Sequence, residues 1–493
     1  MRAQSRGRRR GGVVRAVAGV VVRRLSKAVG GTARLRVIAL IGCVLALDSA
    51  DKGAVGALAV ALKRSLELTN TELGALTAVS SAAGALAVVP IGLLTDRVRR
   101  VRLLYISIGV WSLAMAVGAL ADSFLWLLLS RVALGAVAAT AGPTVTSLVG
   151  DFFAPGERAR IYGFILAGEM LGTGVGLLIG GDLAQFFSWR FAFWFLALFG
   201  GVLMCMIARF LPEPARGGEG WLLAAGPRHG DGRSGGDRRR SDAAHSFVRE
   251  QGVEPYADRV LRRDPARMSL WDAARYVLGI RTNVILIVAS AVGYFFFAGV
   301  RGFGVIFVDR QYGLGPAAIT GLVPLIGAGA LAGVLTGGRL ADHLIRRGHL
   351  SARMIVPALA YLAAAAFFVP ALLTSSLTTA LPVLLIAGAA LAAANPPLDA
   401  ARLDVVHFRL WGRAESIRTL LRTGAEATAP ISFGLLADVL GTGGPRSAHG
   451  VLYAFLIMLL PLAANAVLLL RGRRAYPRDV ATAVASERLT RGT

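Results

Sequence analysis

Three charged residues interrupt an apolar stretch near the start of the chain. Asp48, Asp51 and Lys52 lie within residues 37–62, which are otherwise mostly hydrophobic. Spacings of three and four residues place them on one face of a helix. Two carboxylates beside one ammonium leave a negative charge that a proton can balance. The pattern therefore predicts a proton-coupling site with Asp51 as the main proton carrier; a closed ion pair between Asp51 and Lys52 is the alternative.

An arginine and a glutamate lie deep in two further apolar stretches. Arg131 falls within residues 124–149 and Glu169 within residues 160–184. A charge inside a membrane needs a partner and commonly marks a substrate or ion pathway. We therefore expect Arg131 to line the substrate cavity and Glu169 to serve proton coupling, with a pair between them as one arrangement. An Arg131 side chain that reaches the membrane surface is the alternative.

A third pattern of charges lies in residues 415–440. Arg418, Arg422 and Glu426 recur every four residues and therefore share one helical face. We expect both arginines to line the substrate cavity and Glu426 to serve proton coupling. A local ion pair between Arg422 and Glu426 is the alternative.

Membrane-spanning helices must position these charges. Of the 493 residues, 55% are hydrophobic and only 17% are charged, and the mean hydropathy is +0.61. Soluble cores cannot bury so many hydrophobic residues when so few charges remain for the surface. This excludes a soluble enzyme, a disordered protein and a disulfide-rich scaffold.

Twelve apolar stretches are long enough to cross a bilayer as helices, which takes about 20 residues each. Polar residues 212–281 divide them into two groups of six. The sequence therefore predicts an all-α membrane protein with two six-helix bundles, residues 37–211 and 282–471, joined by a flexible linker. The stretches are 37–62, 71–95, 102–121, 124–149, 160–184, 190–211, 282–308, 316–340, 352–373, 379–401, 415–440 and 449–471.

Basic residues indicate the orientation of these spans. The loops after the even-numbered stretches are rich in arginine, and the opposite loops are short and poor in Arg and Lys, which places the former in the cytoplasm. A basic arm (1–36), the linker and a tail (472–493) are then cytoplasmic. The net charge of +25 follows from this asymmetry, so nucleic-acid binding is not expected. We expect a monomeric multi-pass protein of the plasma membrane.

The sequence offers no pattern for a metal or a cofactor. Cys43 and Cys205 both fall in apolar stretches, and the six histidines are scattered without metal-ligand spacing. A phosphate-binding G-x-x-x-x-G-K-[ST] loop is also absent. We therefore predict a protein that is not an enzyme, uses no cofactor and is not driven by ATP.

A repeated pattern ends the second and eighth stretches. Residues 92–97 read Gly-Leu-Leu-Thr-Asp-Arg, and residues 338–343, 246 positions later, read Gly-Arg-Leu-Ala-Asp-His. With twelve spans, this resembles the major facilitator superfamily, whose second helix is followed by G-x-x-x-D-[RK]-x-G-x-[RK]; Arg99 replaces the second glycine. The resemblance implies alternating access around a central cavity. It also implies a cytoplasmic gate formed by Gly92, Asp96, Arg97, Arg100, Gly338 and Asp342, in which a carboxylate accepts hydrogen bonds from a neighbouring helix terminus.

The fifth stretch resembles the superfamily's antiporter signature, G-x8-G-x3-G-P-x2-G-G, with Leu177 in place of the proline. Small residues allow helices to approach closely, and the match favours efflux. Tight packing with no bearing on direction is the alternative. The matching glycines are Gly163, Gly172, Gly176, Gly180 and Gly181.

A narrower resemblance is to the spinster-like branch, the lysolipid and sphingoid transporters and their bacterial relatives. Asp51-Lys52 resembles its first-helix Asp-Arg pair, and Arg131 to Gly135 resembles the end of its fourth helix. Ala138 replaces a glutamate typical of the branch. We predict a secondary active transporter of a small organic or amphipathic molecule, with proton-coupled efflux. The alternatives are proton-coupled import, uniport, lysolipid transport, and a non-transporting receptor or lipid scramblase on the same fold.

Overall fold

The computed structural model describes residues 26, 29–68, 70–178, 188–217, 252–262, 264–313, 316–441 and 448–491. These residues form helices and contain no β-strand, which confirms the all-α prediction. The α-helices are α1 (Thr32–Ser65), α2 (Asn70–Arg97), α3 (Arg100–Ala119), α4 (Phe124–Ala138), α5 (Ala141–Phe152), α6 (Arg158–Leu178), α7 (Trp189–Phe210), α8 (Leu270–Gly279), α9 (Arg281–Tyr312), α10 (Pro316–Arg346), α11 (Ala352–Leu373), α12 (Leu377–Ala393), α13 (Asn395–Val405), α14 (Trp411–Leu440), α15 (Ala448–Gly472) and α16 (Tyr476–Arg491).

Within the described residues, helices occupy most of each predicted stretch; residues 179–184 of the fifth lie outside the described residues. Among the described residues, nine spans are long and apolar enough to cross a membrane. The first, fifth and eleventh stretches form α1, α6 and α14, which carry most of the charges discussed above. The remaining helices, α8 and α16, lie in the predicted linker and the predicted tail.

Two of the stretches each form two helices. The tenth divides between α12 and α13, at Asn395-Pro396-Pro397. The fourth divides between α4 and α5, although its sequence predicts one continuous helix. Pro143 explains the second break, because its nitrogen cannot donate a hydrogen bond to the carbonyl of Ala139 four residues earlier.

The same three helix pairs recur in each half of the chain. In the first half α1 packs on α6, α2 on α4 and α3 on α7; in the second half α9 packs on α14, α10 on α12 and α11 on α15. The halves meet where α6 packs on α10 and α2 on α14. Two of the helices that carry interior charges, α6 and α14, therefore lie at the boundary between the two halves.

The C-terminal segment is a packed helix rather than a free tail. Asp479 on α16 accepts a hydrogen bond from the backbone N of Thr282 at 3.0 Å, and Ser486 accepts one from the backbone N of Leu261, in the linker, at 3.0 Å. Most of the predicted basic arm and linker residues 218–251 lie outside the described residues. We call the end of the bundle that bears loops 97–102 and 346–353 the basic end.

Candidate functional site

Asp96, near the end of α2, caps the first turn of α14 in the other half. Its Oδ1 accepts a hydrogen bond from the backbone N of Gly412 at 2.9 Å, and its Oδ2 accepts two from Arg413, from the backbone N at 3.1 Å and from Nε at 2.9 Å. The Asp96 and Arg413 side chains are 0% and 2% exposed. A helix N-terminus offers unpaired N–H groups and partial positive charge, so it suits a carboxylate.

Gly92 allows α2 and α14 to approach closely enough for this cap. A Cβ atom at Gly92 would lie 2.8 Å from Cβ of Ser416 and 2.9 Å from the carbonyl oxygen of Gly412. Any larger residue at position 92 would therefore push the halves apart at the point where Asp96 joins them.

Asp342, near the end of α10, makes the matching contact with α6 in the first half. Its Oδ2 accepts a hydrogen bond from the backbone N of Arg160 at 2.7 Å, and its Oδ1 accepts one from Arg353 Nη2 at 3.1 Å. A Cβ atom at Gly338 would lie 2.8 Å from the carbonyl carbon of Ala159. The internal repeat thus produces two equivalent caps, each of which joins one half to the other.

Each half also contains a buried Arg–Asp pair beside its cap. Arg100 pairs with Asp151 in the first half, and Arg353 pairs with Asp404 in the second; all four side chains are at most 1% exposed. Both pairs join residues 51 positions apart. Asp151 and Asp404 were not predicted as site residues, and this equal spacing in the two halves is the signal that could have identified them.

Arg97, predicted as part of the gate, is exposed and forms no ion pair with a described residue. The cation that contacts Asp96 is instead Arg413, which is 317 positions away. The predicted gate residues come from the two repeated loops, and those local patterns do not show which helix terminus Asp96 contacts.

The linker and the C-terminal helix pack against this layer of charges. Arg413 donates hydrogen bonds to the carbonyl oxygens of Pro265 at 3.0 Å and Met268 at 3.1 Å. The hydroxyl of Tyr476 donates one to Asp404 Oδ2 at 2.6 Å. Burial, reinforced by the charge of Asp404, raises the pKa of the Tyr476 phenol well above its usual value. Tyr476 therefore stays protonated and remains a donor.

Asp51 and Arg131 form a buried ion pair inside the first half. Arg131 Nη1 donates to Asp51 Oδ1 at 2.7 Å, and the two side chains are 3% and 10% exposed. The guanidinium group also lies 4.6 Å from the ring centroid of Phe193. Arg131 thus pairs with Asp51 rather than with Glu169, and its side chain is buried between helices of the first half.

Lys52 pairs with Asp48, one helical turn earlier. Its Nζ donates to Asp48 Oδ2 at 2.6 Å, and its side chain is 70% exposed. The neighbouring Asp51 is instead directed towards α4 by its contact with Arg131. The three charged residues of α1 therefore belong to two separate ion pairs, Asp48–Lys52 and Asp51–Arg131. The alternative pair between Asp51 and Lys52 is not formed.

Arg418 lies in a buried charge network rather than on an open cavity wall. It donates to Glu415 Oε1 at 2.5 Å and to Ser290 Oγ at 2.8 Å, and its side chain is 6% exposed. Arg402 pairs with both Glu415 and Asp399, so two cations balance two anions. Arg402, Glu415 and Asp399 were not predicted as site residues. The charged pattern Asp399-x-x-Arg402 at the end of an apolar stretch is the sequence feature that could have identified this network.

Glu169, Arg422 and Lys52 interact electrostatically across the boundary between the halves. Glu169 on α6 is attracted by Arg422 on α14 and Lys52 on α1, whereas the carboxylates of Asp48 and Asp399 repel its ionised form. Its carboxylate forms no hydrogen bond or ion pair with a described residue. Because Arg422 belongs to the second half and Glu169 and Lys52 to the first, these three residues border the space between the halves. We call them the boundary trio.

Arg422 and Glu426 form the local ion pair expected as the alternative, with Nε 3.3 Å from Oε1. The Arg422 guanidinium also lies 4.3 Å from the ring centroid of Tyr294. Arg301 approaches the second oxygen of Glu426 at 3.9 Å, but its side chain is 64% exposed. Glu426 is thus held by two arginines, whereas the carboxylate of Glu169 is not held by a close contact within the described chain.

The glycines of α6 pack against two different neighbours. A Cβ atom at either Gly172 or Gly176 would lie 2.7 Å from a backbone carbonyl carbon of α1. A Cβ atom at Gly163 would lie 2.7 Å from a backbone carbonyl oxygen of α10. The described glycines of the antiporter-like pattern are therefore divided between contacts with α1 and with α10. Gly180 and Gly181 lie outside the described residues.

The proteins to which this chain is similar in sequence include membrane transporters. The family model described as "Major Facilitator Superfamily" matches residues 40–409. The hexuronate transporter of Bacillus subtilis strain 168 is 27% identical over 180 residues, 36% of this chain and 43% of that protein. A probable L-galactonate transporter of Escherichia coli K12 is 29% identical over 150 residues, 30% of this chain and 33% of that protein. The chain thus spans less than half the length of each of these relatives.

A solved structure extends the similarity to nearly the whole chain. It is a bacterial homologue of the human lysosomal transporter Spinster, in an inward-facing and occupied conformation. The match covers 90% of this chain and 98% of that chain, with a TM-score of 0.53 and 20% sequence identity. At this identity the similarity establishes the fold.

Proposed function

Because the chain belongs to the major facilitator superfamily, we propose that it is a proton-coupled secondary transporter of a small organic anion. The boundary trio is the observation that carries this proposal. Two cations, Arg422 and Lys52, interact electrostatically with an acid, Glu169, whose carboxylate has no hydrogen-bond partner among the described residues. Such a site can hold a substrate carboxylate and a proton at the same time.

The charges that remain accessible favour an anionic substrate. Arg131 and Arg418 were predicted cavity residues, but both are buried in ion pairs. The Lys52 ammonium is paired with Asp48, but its side chain is 70% exposed, and two of its three donors remain for a charge-assisted hydrogen bond with a substrate carboxylate. The names of the hexuronate and L-galactonate transporters refer to sugar acids, which carry such a group.

Glu169 competes with an organic anion for the same two cations. Its ionised form attracts Lys52 and Arg422 and repels the anion, and a proton on Glu169 removes both effects. The binding of the proton therefore favours the binding of the substrate, and linkage requires the reverse as well. This arrangement supports transport of both in the same direction.

Proton-coupled efflux is the second candidate, and the glycine pattern of α6 favours it. In an exchange cycle the substrate and the proton bind in turn. A cationic or amphipathic substrate fits that cycle, because it would interact with the ionised form of Glu169 and leave when the acid takes a proton. Asp51 could act in the same way if its pair with Arg131 opened during the cycle.

The two helix caps supply the gate in either cycle. Asp96 and Asp342 join the halves at the basic end, which the sequence predicts to be cytoplasmic. We propose that both caps form when the cavity is closed to the cytoplasm and break when it opens there. A shift between these states requires only that the two differ in free energy by a few kcal/mol.

Proteoliposomes that contain a pH-sensitive dye test the proposal. The probes are D-glucuronate as the anion and a lipophilic organic cation as the alternative. External glucuronate should enter and acidify the lumen, because protons move with it. Cation entry with a rise in lumenal pH would support efflux by exchange, and glucuronate flux without proton movement would indicate a uniporter. Binding of glucuronate without entry of either probe would indicate a receptor. Movement of phospholipid between the two leaflets without entry of either probe would indicate a scramblase.

A further inference from the structure

Four arginines surround a recess at the basic end, between the start of α9 and the end of α15. Arg281 begins α9, and Arg471, Arg473 and Arg474 lie at or just beyond the end of α15. All four are exposed. Within the described part of the chain, none of the four guanidinium groups has a carboxylate partner. The recess therefore holds concentrated positive charge that the protein does not balance locally.

The wall of the recess is aliphatic. Val467 and Leu470, in the last two turns of α15, line it together with Ala475. Val467 is 48% exposed, and it lies in the span His449–Gly472, which is apolar enough to cross a membrane. The four arginines thus border a surface that suits contact with acyl chains.

Close contacts between the ends of three helices fix the shape of the recess. A Cβ atom at Gly472 would lie 2.9 Å from side chains of α9 and α11, so the three helix ends are in close contact. Ser351 donates a hydrogen bond to the carbonyl oxygen of Arg473 at 3.0 Å. The nearby acid Asp479 already accepts the backbone N–H of Thr282, where it caps α9.

The helix that precedes the recess has the features of a membrane-surface helix. Trp271 and Leu278 on α8 are 78% and 44% exposed, and α8 ends two residues before Arg281. Tryptophan is enriched where a membrane meets water, and an amphipathic helix with such residues lies in that plane. The recess is therefore at the level of lipid headgroups.

We infer that this recess binds the phosphate headgroup of an anionic phospholipid, with the acyl chains along α15 at Val467. Guanidinium groups bind phosphate oxygens in bidentate fashion, and basic pockets between spanning helices are suited to lipid headgroups. The general excess of basic residues on one side of a membrane explains the charge. It does not explain why four arginines surround one recess with an aliphatic wall.

Native mass spectrometry of the purified full chain tests this site. The probes are dioleoylphosphatidylglycerol and dioleoylphosphatidylcholine at equal concentration, and the wild type should retain the anionic lipid preferentially. The double variant Arg473→Gln/Arg474→Gln should lose that preference by about fivefold per arginine removed. The control Arg99→Gln/Arg347→Gln removes two exposed arginines elsewhere at the basic end and should keep it. If the double variant is not folded by thermal melting, Arg281→Gln takes its place.

Two soluble competitors identify the source of the phosphate. Glycerophosphoglycerol, which is the headgroup without acyl chains, and inorganic phosphate should not displace the lipid at equal concentration. Displacement by either would mean a site for a soluble phosphate and would overturn the lipid assignment. An equal loss in the control variant would mean that the overall basic surface, not the recess, attracts the lipid. That result, or the absence of a lipid preference in the wild type, would also overturn the lipid assignment. None of these outcomes depends on the transported substrate.

Discussion

Asp96 Oδ2 accepts two hydrogen bonds from Arg413, at 3.1 Å from the backbone N and 2.9 Å from Nε, although the residues are 317 positions apart. Asp342 accepts the backbone N–H of Arg160 in the equivalent place at 2.7 Å. The halves are therefore joined twice by the same chemistry. Loss of either acid would leave N–H groups of a helix terminus without a partner.

Replacing Asp96 should open the basic end. We expect Asp96→Ala to slow transport by about tenfold, equivalent to about 1.4 kcal/mol, while substrate affinity in detergent changes by less than roughly threefold. Spin labels at Arg97→Cys and Arg347→Cys, with Cys43 and Cys205 replaced by serine, should show longer distances. Asp122→Ala is the matched control, because its side chain is 93% exposed. Unchanged distances together with a large loss of affinity would contradict the gate role.

Glycine substitutions should act on the same gate by steric contact. Gly92→Ala and Gly338→Ala each place a Cβ atom within 2.9 Å of the opposite half, so both should lengthen the spin-label distances and slow transport. The control is Gly174→Ala, because nothing lies within 4 Å of its Cβ position. That variant should raise helix stability by up to about 1 kcal/mol. Equal transport by all three variants would show that close approach at positions 92 and 338 is not needed.

The buried pair of Asp51 and Arg131 should matter for stability. Asp51→Asn leaves Arg131 buried without a charge partner, which costs about 3–5 kcal/mol and should lower the melting temperature. Asp48→Asn is the control, because its partner Lys52 is 70% exposed and such pairs contribute about 1 kcal/mol or less. If Asp51→Asn melts like the wild type but no longer accumulates substrate in response to pH, Asp51 is the proton carrier predicted from the sequence.

Deletion of residues 226–245 should leave transport nearly intact. This segment is rich in Gly, Arg and Asp, a composition that cannot bury a core. The linker residues that contact the gate, Pro265 and Met268, lie further along the chain. Flux per folded protein in vesicles is the measurement. A loss of flux at normal expression would assign the segment a regulatory role.

The sequence predicts features that depend on neighbouring residues. Hydropathy indicates the twelve stretches, and Asn395-Pro396-Pro397 lies where the tenth stretch divides into two helices. The acids at positions 96 and 342 can be found because each ends a repeated local pattern. The partners of the acids could not be found in this way. Arg413, the partner of Asp96, lies in the other half, and Arg131, the partner of Asp51, lies on α4. Helical spacing places residues on a face but does not state which neighbour that face contacts.

The proton-coupling proposal depends most directly on Glu169, so Glu169→Gln gives the decisive measurement. Glutamine keeps the shape and cannot take up a proton. In vesicles with an imposed pH gradient, the variant should no longer concentrate D-glucuronate. Exchange of labelled for unlabelled substrate without a gradient should continue within roughly threefold of the wild-type rate. Asp122→Asn is the control and should concentrate substrate normally. If Glu169→Gln still concentrates substrate against its gradient, the boundary trio does not couple the proton, and Asp51 or Glu426 must do so.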